Sequence, residues 1–288
     1  MVTALSRLSG NAFELTITLP WPEVKKIYDE VFNELATQIE IEGFRKGNAP
    51  RAMIESKIDK SKIYGEVINK IVPESYRKAL EEHNLKPVVT PQVKITQAEE
   101  EKDWQLLVQA AEQPNVELGE YKKEVSAINT KGKIWTPEQE TTKPEKTEEN
   151  IKQEEQKKIS EIIEKLLEIC KVELAQILVE SETNRLLTQL VEDVRQAGLT
   201  YEQYLQSSNQ SAESVKEKYR KQAETTLKLE FILEAVAQDL KVVVEPAEID
   251  AVIAKEADPG KQKALKEQSY VLASIMRRDK TIAKLLVL

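Results

Sequence analysis

The chain has 288 residues, 40% hydrophobic and 32% charged, with only 8 glycines. It contains no run of about 18 apolar residues that could span a bilayer, and its single cysteine, Cys170, excludes an intramolecular disulfide or a cysteine-built metal site. With 42 basic and 50 acidic residues the formal charge is −8, which argues against a general nucleic-acid coat while leaving room for a local basic patch. The opening residues lack a basic start followed by an apolar run, so the expectation is a protein of the reducing cytosol, without a membrane partner.

Residues 12–19 (AFELTITL) alternate and are β-branched, which predicts a strand. A helical pattern opens at Trp21-Pro22-Glu23, with Val24, Ile27, Tyr28, Val31, Phe32 and Leu35 recurring at three- and four-residue spacing. After a break over 43–50, a second helix is expected from Arg51 to about Asn84, ending before Pro87. Strand-like stretches follow at 88–96 and 103–111. The order β-α-loop-α-β-β reads as an α+β domain over 1–120.

The texture then changes. Residues 129–149 (NTKGKIWTPEQETTKPEKTEE) offer almost no apolar face beyond Ile134 and Trp135. Such a composition buries too little surface to offset the entropy of ordering, so 121–150 reads as a polar linker. Residues 151–288 read as an all-α domain. One apolar stripe runs from Ile159 to Cys170 and another from Leu174 to Val194, with Gly198 placed as a C-terminal cap. A long helix is expected from Ser211, its N-cap, to Leu240. Glu245-Pro246 opens a fourth helix, and Pro259 the last.

The usual catalytic groupings are missing. His83 is the only histidine, which excludes histidine triads and multi-histidine metal sites. There is no phosphate-cradling glycine motif. Cys170 sits within an apolar helical stripe and reads as a small core residue. His83, at a helix end, reads as a surface residue facing the helix dipole. No cofactor and no metal are expected.

The segment 41–51 (IEGFRKGNAPR) stands apart. Gly43 and Gly47 bracket Phe44, Arg45 and Lys46, and Pro50 precedes the next helix. From Arg45 to Lys62 there are six basic and two acidic residues, a net +4 inside a chain of −8. An aromatic displayed between glycines and beside cations suits stacking and phosphate contact with RNA, or docking on an acidic protein surface. The residues by themselves equally fit a helix–helix turn whose Phe44 packs inward.

The pattern G-F-R-x-G-x-x-P between two helices of an α+β domain resembles the ribosome-binding signature of the trigger factor family. Residues 115–125 (NVELGEYKKEV) are similar to that family's exit from its ribosome-binding domain, and 172–205, continuing to 236, to its helical C-terminal domain. The resemblance implies an ATP-independent chaperone that binds the large ribosomal subunit at the tunnel exit and shields nascent or unfolded polypeptides. It implies ribosome binding by Gly43, Phe44, Arg45, Lys46, Gly47 and Pro50, contacting ribosomal protein and RNA. Client contacts are expected from exposed apolar residues such as Ile177, Leu178, Tyr201, Tyr204 and Leu205, for which plain helix packing is the competing reading. Family members also form a homodimer off the ribosome through the N-terminal domain.

Two departures matter. Asn48 stands where family members usually carry lysine. The FKBP-like prolyl isomerase domain that normally lies between the two ends has no room in the polar stretch 127–149, so a form without that domain is expected. Two rival classes stay in view: a prolyl isomerase-type folding enzyme, and a ribosome-independent helical chaperone or adaptor.

Overall fold

The computed structural model describes residues 1–37, 53, 59–131, 148–256 and 258–288. By backbone proximity they fall into two units. The first comprises Met1–Gln113 together with Ala175–Ser181, and the second Pro114–Leu174 with Glu182–Leu288.

In the first unit, β1 (Val2–Arg7), β2 (Ala12–Leu19), β3 (Gln92–Gln97) and β4 (Trp104–Ala111) form an antiparallel sheet in the order β1-β2-β4-β3. The alternation of 12–19 has a direct consequence. Phe13, Leu15, Ile17 and Leu19 all face one side and lie opposite Ala110, Val108, Leu106 and Trp104. These eight buried side chains make the floor of the core. Helices α1 (Trp21–Ala36) and α2 (Lys60–His83) cover that floor with Val24, Val31, Phe32, Ile63, Val67 and Ile71. The strand β1 was not legible in its sequence. It is an edge strand of mixed composition that exists by pairing with β2, from Val2 opposite Thr18 to Arg7 opposite Phe13. The expected start of α2 at Arg51 lies outside the described residues, within which α2 begins at Lys60 on the N-cap Asp59.

The second unit holds a two-stranded pair, β5 (Val116–Glu117) with β6 (Lys171–Val172), and eight helices among the described residues. These are α3 (Tyr121–Lys131), α4 (Glu148–Ile169), α5 (Gln176–Gln196, its start up to Ser181 being grouped with the first unit), α6 (Tyr201–Ser208), α7 (Ala212–Asp239), α8 (Pro246–Ala254), α9 (Pro259–Glu267) and α10 (Ser269–Leu286). Its main core joins Tyr121 and Val125 of α3, Ile162 and Leu166 of α4, Ile232, Leu233 and Val236 of α7, and Leu285 of α10.

Three differences from the sequence reading have physical causes. Residues 121–131, read as linker, are a helix because Tyr121 and Val125, four apart, share one face and bury it against α4 and α7. Residues 148–150 are likewise helical, as the first turn of α4. The single last helix expected from Pro259 is two helices, divided at Gln268 with φ −103° and ψ 24°.

Candidate functional site

Gly43, Phe44, Arg45, Lys46, Gly47 and Pro50 lie outside the described residues. The structure describes what flanks them. Helix α1 closes on Thr37, whose N–H donates to the Asn33 carbonyl at 3.3 Å and whose hydroxyl donates to the Glu34 carbonyl at 2.7 Å. On the far side, Asp59 accepts a hydrogen bond from the Ser61 N–H at 2.9 Å and caps α2.

Behind this cap three aromatic rings pack at tilted angles. The Tyr64 ring lies 5.3 Å from that of Tyr28 and 5.8 Å from that of Trp104, whose indole N–H donates to the Glu99 carbonyl at 3.3 Å. Lys60 and Glu100 pair across this corner at 3.4 Å, and the carboxylate's hydrogen bond and charge hold the ammonium pKa above its ordinary value. Lys70 bridges to Glu34 of α1 at 2.6 Å. Among the described residues, α1 and α2, which flank this segment in the sequence, pack through Val24, Val31, Phe32, Ile63, Val67 and Ile71.

The second unit offers apolar surface of another kind. A short core of Leu190, Val194 and Val215 is ringed by half-buried Leu187, Tyr201, Tyr204, Leu205 and Tyr219. Thr200 and Gln203 form a capping box that fixes the start of α6: the Gln203 N–H donates to the Thr200 hydroxyl at 3.2 Å, and the Thr200 N–H to the Gln203 amide oxygen at 2.9 Å. The box orients Tyr201 and Tyr204 so that their rings stack at 6.4 Å with planes 23° apart. Beside them Val191 and Leu199 are exposed. Burial is the first cause raising the Tyr219 pKa, followed by Tyr204 and Asp193.

Tyr201, Tyr204 and Leu205, expected as client contacts, thus share one surface. Ile177 and Leu178 do not. They are only 8% and 5% exposed and belong to Ala175–Ser181, the stretch grouped with the first unit. The correction has a simple source: Leu174, Ala175, Ile177, Leu178 and Val179 make a nearly continuous apolar run, and a helix start that is apolar all round is buried. Reading that run as one face of an amphipathic stripe concealed it. Tyr219, about two helical turns into α7, was legible as apolar but not as a partner of α6.

Other singled-out residues are structural. Cys170 is buried, its thiol donates to the Leu118 carbonyl at 3.5 Å, and burial pushes its pKa up, the opposite of what a nucleophile needs. His83 closes α2, and its Nε2 lies 2.9 Å from the Thr3 hydroxyl of β1. At the far end of α7, Tyr121 donates to Asp239 and Lys122 pairs with the same carboxylate at 2.7 Å. Lys122 first, then Tyr121, draw the Asp239 pKa below the usual carboxylate range. Arg277 and Lys284 of α10 donate to the Val242 and Leu240 carbonyls at 3.2 Å each, placing cations where the carbonyls of α7 end. Among the described residues no group of three His, Cys, Asp or Glu is placed to hold a metal ion, and no helix is long and apolar enough to cross a membrane.

Comparison with known proteins supplies the remaining observation. The family model for bacterial trigger factor protein (TF) matches residues 1–154, and the model for its C-terminus matches 139–286. The trigger factors of Staphylococcus aureus strains JH9 and Newman are each 35% identical over 122 residues, covering 42% of this chain and 28% of theirs. The aligned part of the chain therefore spans under a third of those curated relatives. A solved structure from work on promiscuous substrate recognition in folding and assembly activities of the trigger factor chaperone superposes with a TM-score of 0.66 at 15% identity. It covers 99% of both chains, a likeness of fold.

Proposed function

Because the chain belongs to the bacterial trigger factor family, we propose that it is an ATP-independent, cytoplasmic chaperone that binds the large ribosomal subunit at the tunnel exit and shields nascent polypeptides. Phe44, Arg45 and Lys46, set between Gly43 and Gly47 and ahead of Pro50, form the docking tip and meet ribosomal protein and RNA. The observation that carries this reading is that the N-terminal family match encloses this G-F-R-x-G-x-x-P segment, at the head of a stretch, 45–62, of net charge +4 in an acidic chain. Nascent or unfolded segments then rest on apolar helical surface of the second unit, including Tyr201, Tyr204 and Leu205 with Val191 and Leu199. Such surface selects by apolar content rather than by sequence and needs no cofactor. Off the ribosome, two copies pair through the N-terminal unit.

The protein is not an isomerase in this reading. This is supported by the overlap of the two family matches at 139–154, where a domain between them would need about 100 residues. Residues 1–120 are assigned to ribosome binding, 151–288 to client binding, and the polar stretch up to 150 stands where an isomerase domain would be. Residues 121–131 are counted with the client-binding unit, since Tyr121 and Val125 are buried in its core. The test is co-sedimentation with ribosomes. Phe44→Ala/Arg45→Ala/Lys46→Ala should abolish association, because losing such anchors commonly costs about 2 kcal/mol or more each, while circular dichroism stays unchanged. A folded triple variant that sediments like the unmodified chain would overturn the assignment.

A further inference from the structure

The surface of α9 and α10 has a charge pattern that the client-binding reading does not use. Lys261, Lys263 and Lys266 are all exposed on α9, and among the described residues none of the three has an ion-pair partner. Other cations of this region are engaged: Arg277 pairs with Glu234 at 2.7 Å and Lys280 with Glu248. Immediately beyond lie Tyr270, 87% exposed, and exposed Val271 and Ile275. At Gln268 the backbone leaves the helical conformation (φ −103°, ψ 24°), so the faces of α9 and α10 are read separately. Helix α9 carries the three lysines, and the first two turns of α10 carry Tyr270, Val271 and Ile275 as exposed apolar side chains. Glu267 is the acidic neighbour, and Arg278 lies beside Asp279 at 4.0 Å. From Lys255 to the last residue there are eight basic and four acidic side chains, +4 in a chain of −8.

We infer that this cationic and apolar surface of α9 and α10 is a docking surface for acidic, apolar segments of unfolded polypeptides, an inference that rests on the client-binding reading above. The stretch that leads into Tyr201 and Tyr204 has the opposite balance, with Glu192, Asp193 and Glu202 against Arg195. Here Tyr270, Val271 and Ile275 take the apolar side chains while Lys261, Lys263 and Lys266 face the carboxylates. Exposed charge contacts are individually weak and screened by salt, so they act on selection between clients more than on total affinity.

The test uses the full chain and fluorescence anisotropy with two labelled peptides of equal leucine and phenylalanine content, one carrying four glutamates and the other four lysines. A charge pair of ordinary exposed strength, repeated three times, predicts about tenfold tighter binding of the acidic peptide at low salt. That preference should vanish in about 0.5 M salt. Lys261→Gln/Lys263→Gln/Lys266→Gln should erase it, and the corresponding triple change to Glu should reverse it, with unchanged circular dichroism. Tyr270→Ser/Val271→Ser/Ile275→Ser should weaken binding of the acidic peptide. Equal affinity for the two peptides, or a preference unaltered by the lysine changes, would overturn the inference while leaving the chaperone reading intact. Failure of the chain to bind either peptide would instead count against the chaperone reading. A single-stranded RNA or an anionic phosphatidylserine vesicle that binds more tightly than the acidic peptide, and loses that binding in the lysine variants, would overturn the assignment in favour of that partner.

Discussion

Val125→Ala should lower the melting temperature of the second unit by about 4–8 °C and leave the first unit untouched. Val125 has no exposed surface and packs in the core shared by α3, α4, α7 and α10. Removing its two methyl groups forfeits about 1.6 kcal/mol of burial at 0.8 kcal/mol each. The cavity left among Ile162, Leu166 and Leu285 brings the loss to about 2 kcal/mol. In units of 150–250 residues, each kcal/mol shifts the transition by about 2–4 °C. Two probes separate the units. Far-ultraviolet circular dichroism is dominated by the long helices α4, α5 and α7 of the second unit. In a Trp135→Phe background, tryptophan fluorescence comes only from Trp21 and Trp104, both of which belong to the first unit's core. If residues 121–131 were a tether without packing, the helical transition would move by less than about 1 °C, within the range of ordinary surface substitutions. That result would refute the placement of α3 in the second unit's core.

The clasp of Tyr121, Lys122 and Asp239 should make the second unit sensitive to acid and to alkali. The folded-state pKa of Asp239 is depressed, so its contribution is present above the unfolded value of about 4 and is lost as pH falls through the folded value. The Tyr121 pKa is raised, first by burial and then by Asp239, so its contribution is present below about 10 and is lost as pH rises through the folded value. Thermal melts across pH should show Asp239→Asn flattening the acid limb and Tyr121→Phe the alkaline one; unchanged limbs would exclude the clasp as their origin. For client binding, Tyr201→Ser/Tyr204→Ser should weaken suppression of aggregation of an unfolded protein several-fold, since the pair forms one stacked platform. Full suppression by a folded double variant would remove that surface from the client site.

The sequence alone determined the elements whose pattern is local. The strand over 12–19 needs only alternation, and it emerges with the expected bounds. The helix from Trp21 and the long helix capped by Ser211 need only three- and four-residue periodicity and a hydroxyl acceptor, and both are present. Gly198 adopts φ +77° after α5, as its position past the last apolar residue required. The segment proposed for docking stood out for a different reason: an aromatic and two cations between glycines are a chemical pattern that needs no fold to be noticed. Tertiary structure decided the rest, wherever one segment's fate depended on a distant one. The edge strand β1 exists only against β2, and the pair of β5 with β6 joins residues more than fifty positions apart. Helix α3 has a weak pattern of its own and is fixed by burial of Tyr121 and Val125 among side chains from beyond residue 160. Ile177, Leu178, Tyr201 and Tyr204 are alike in apolar character, and only packing could say which are covered and which remain for a client. Hydrophobicity is a property of a residue, whereas exposure is a property of the neighbours that the fold brings to it.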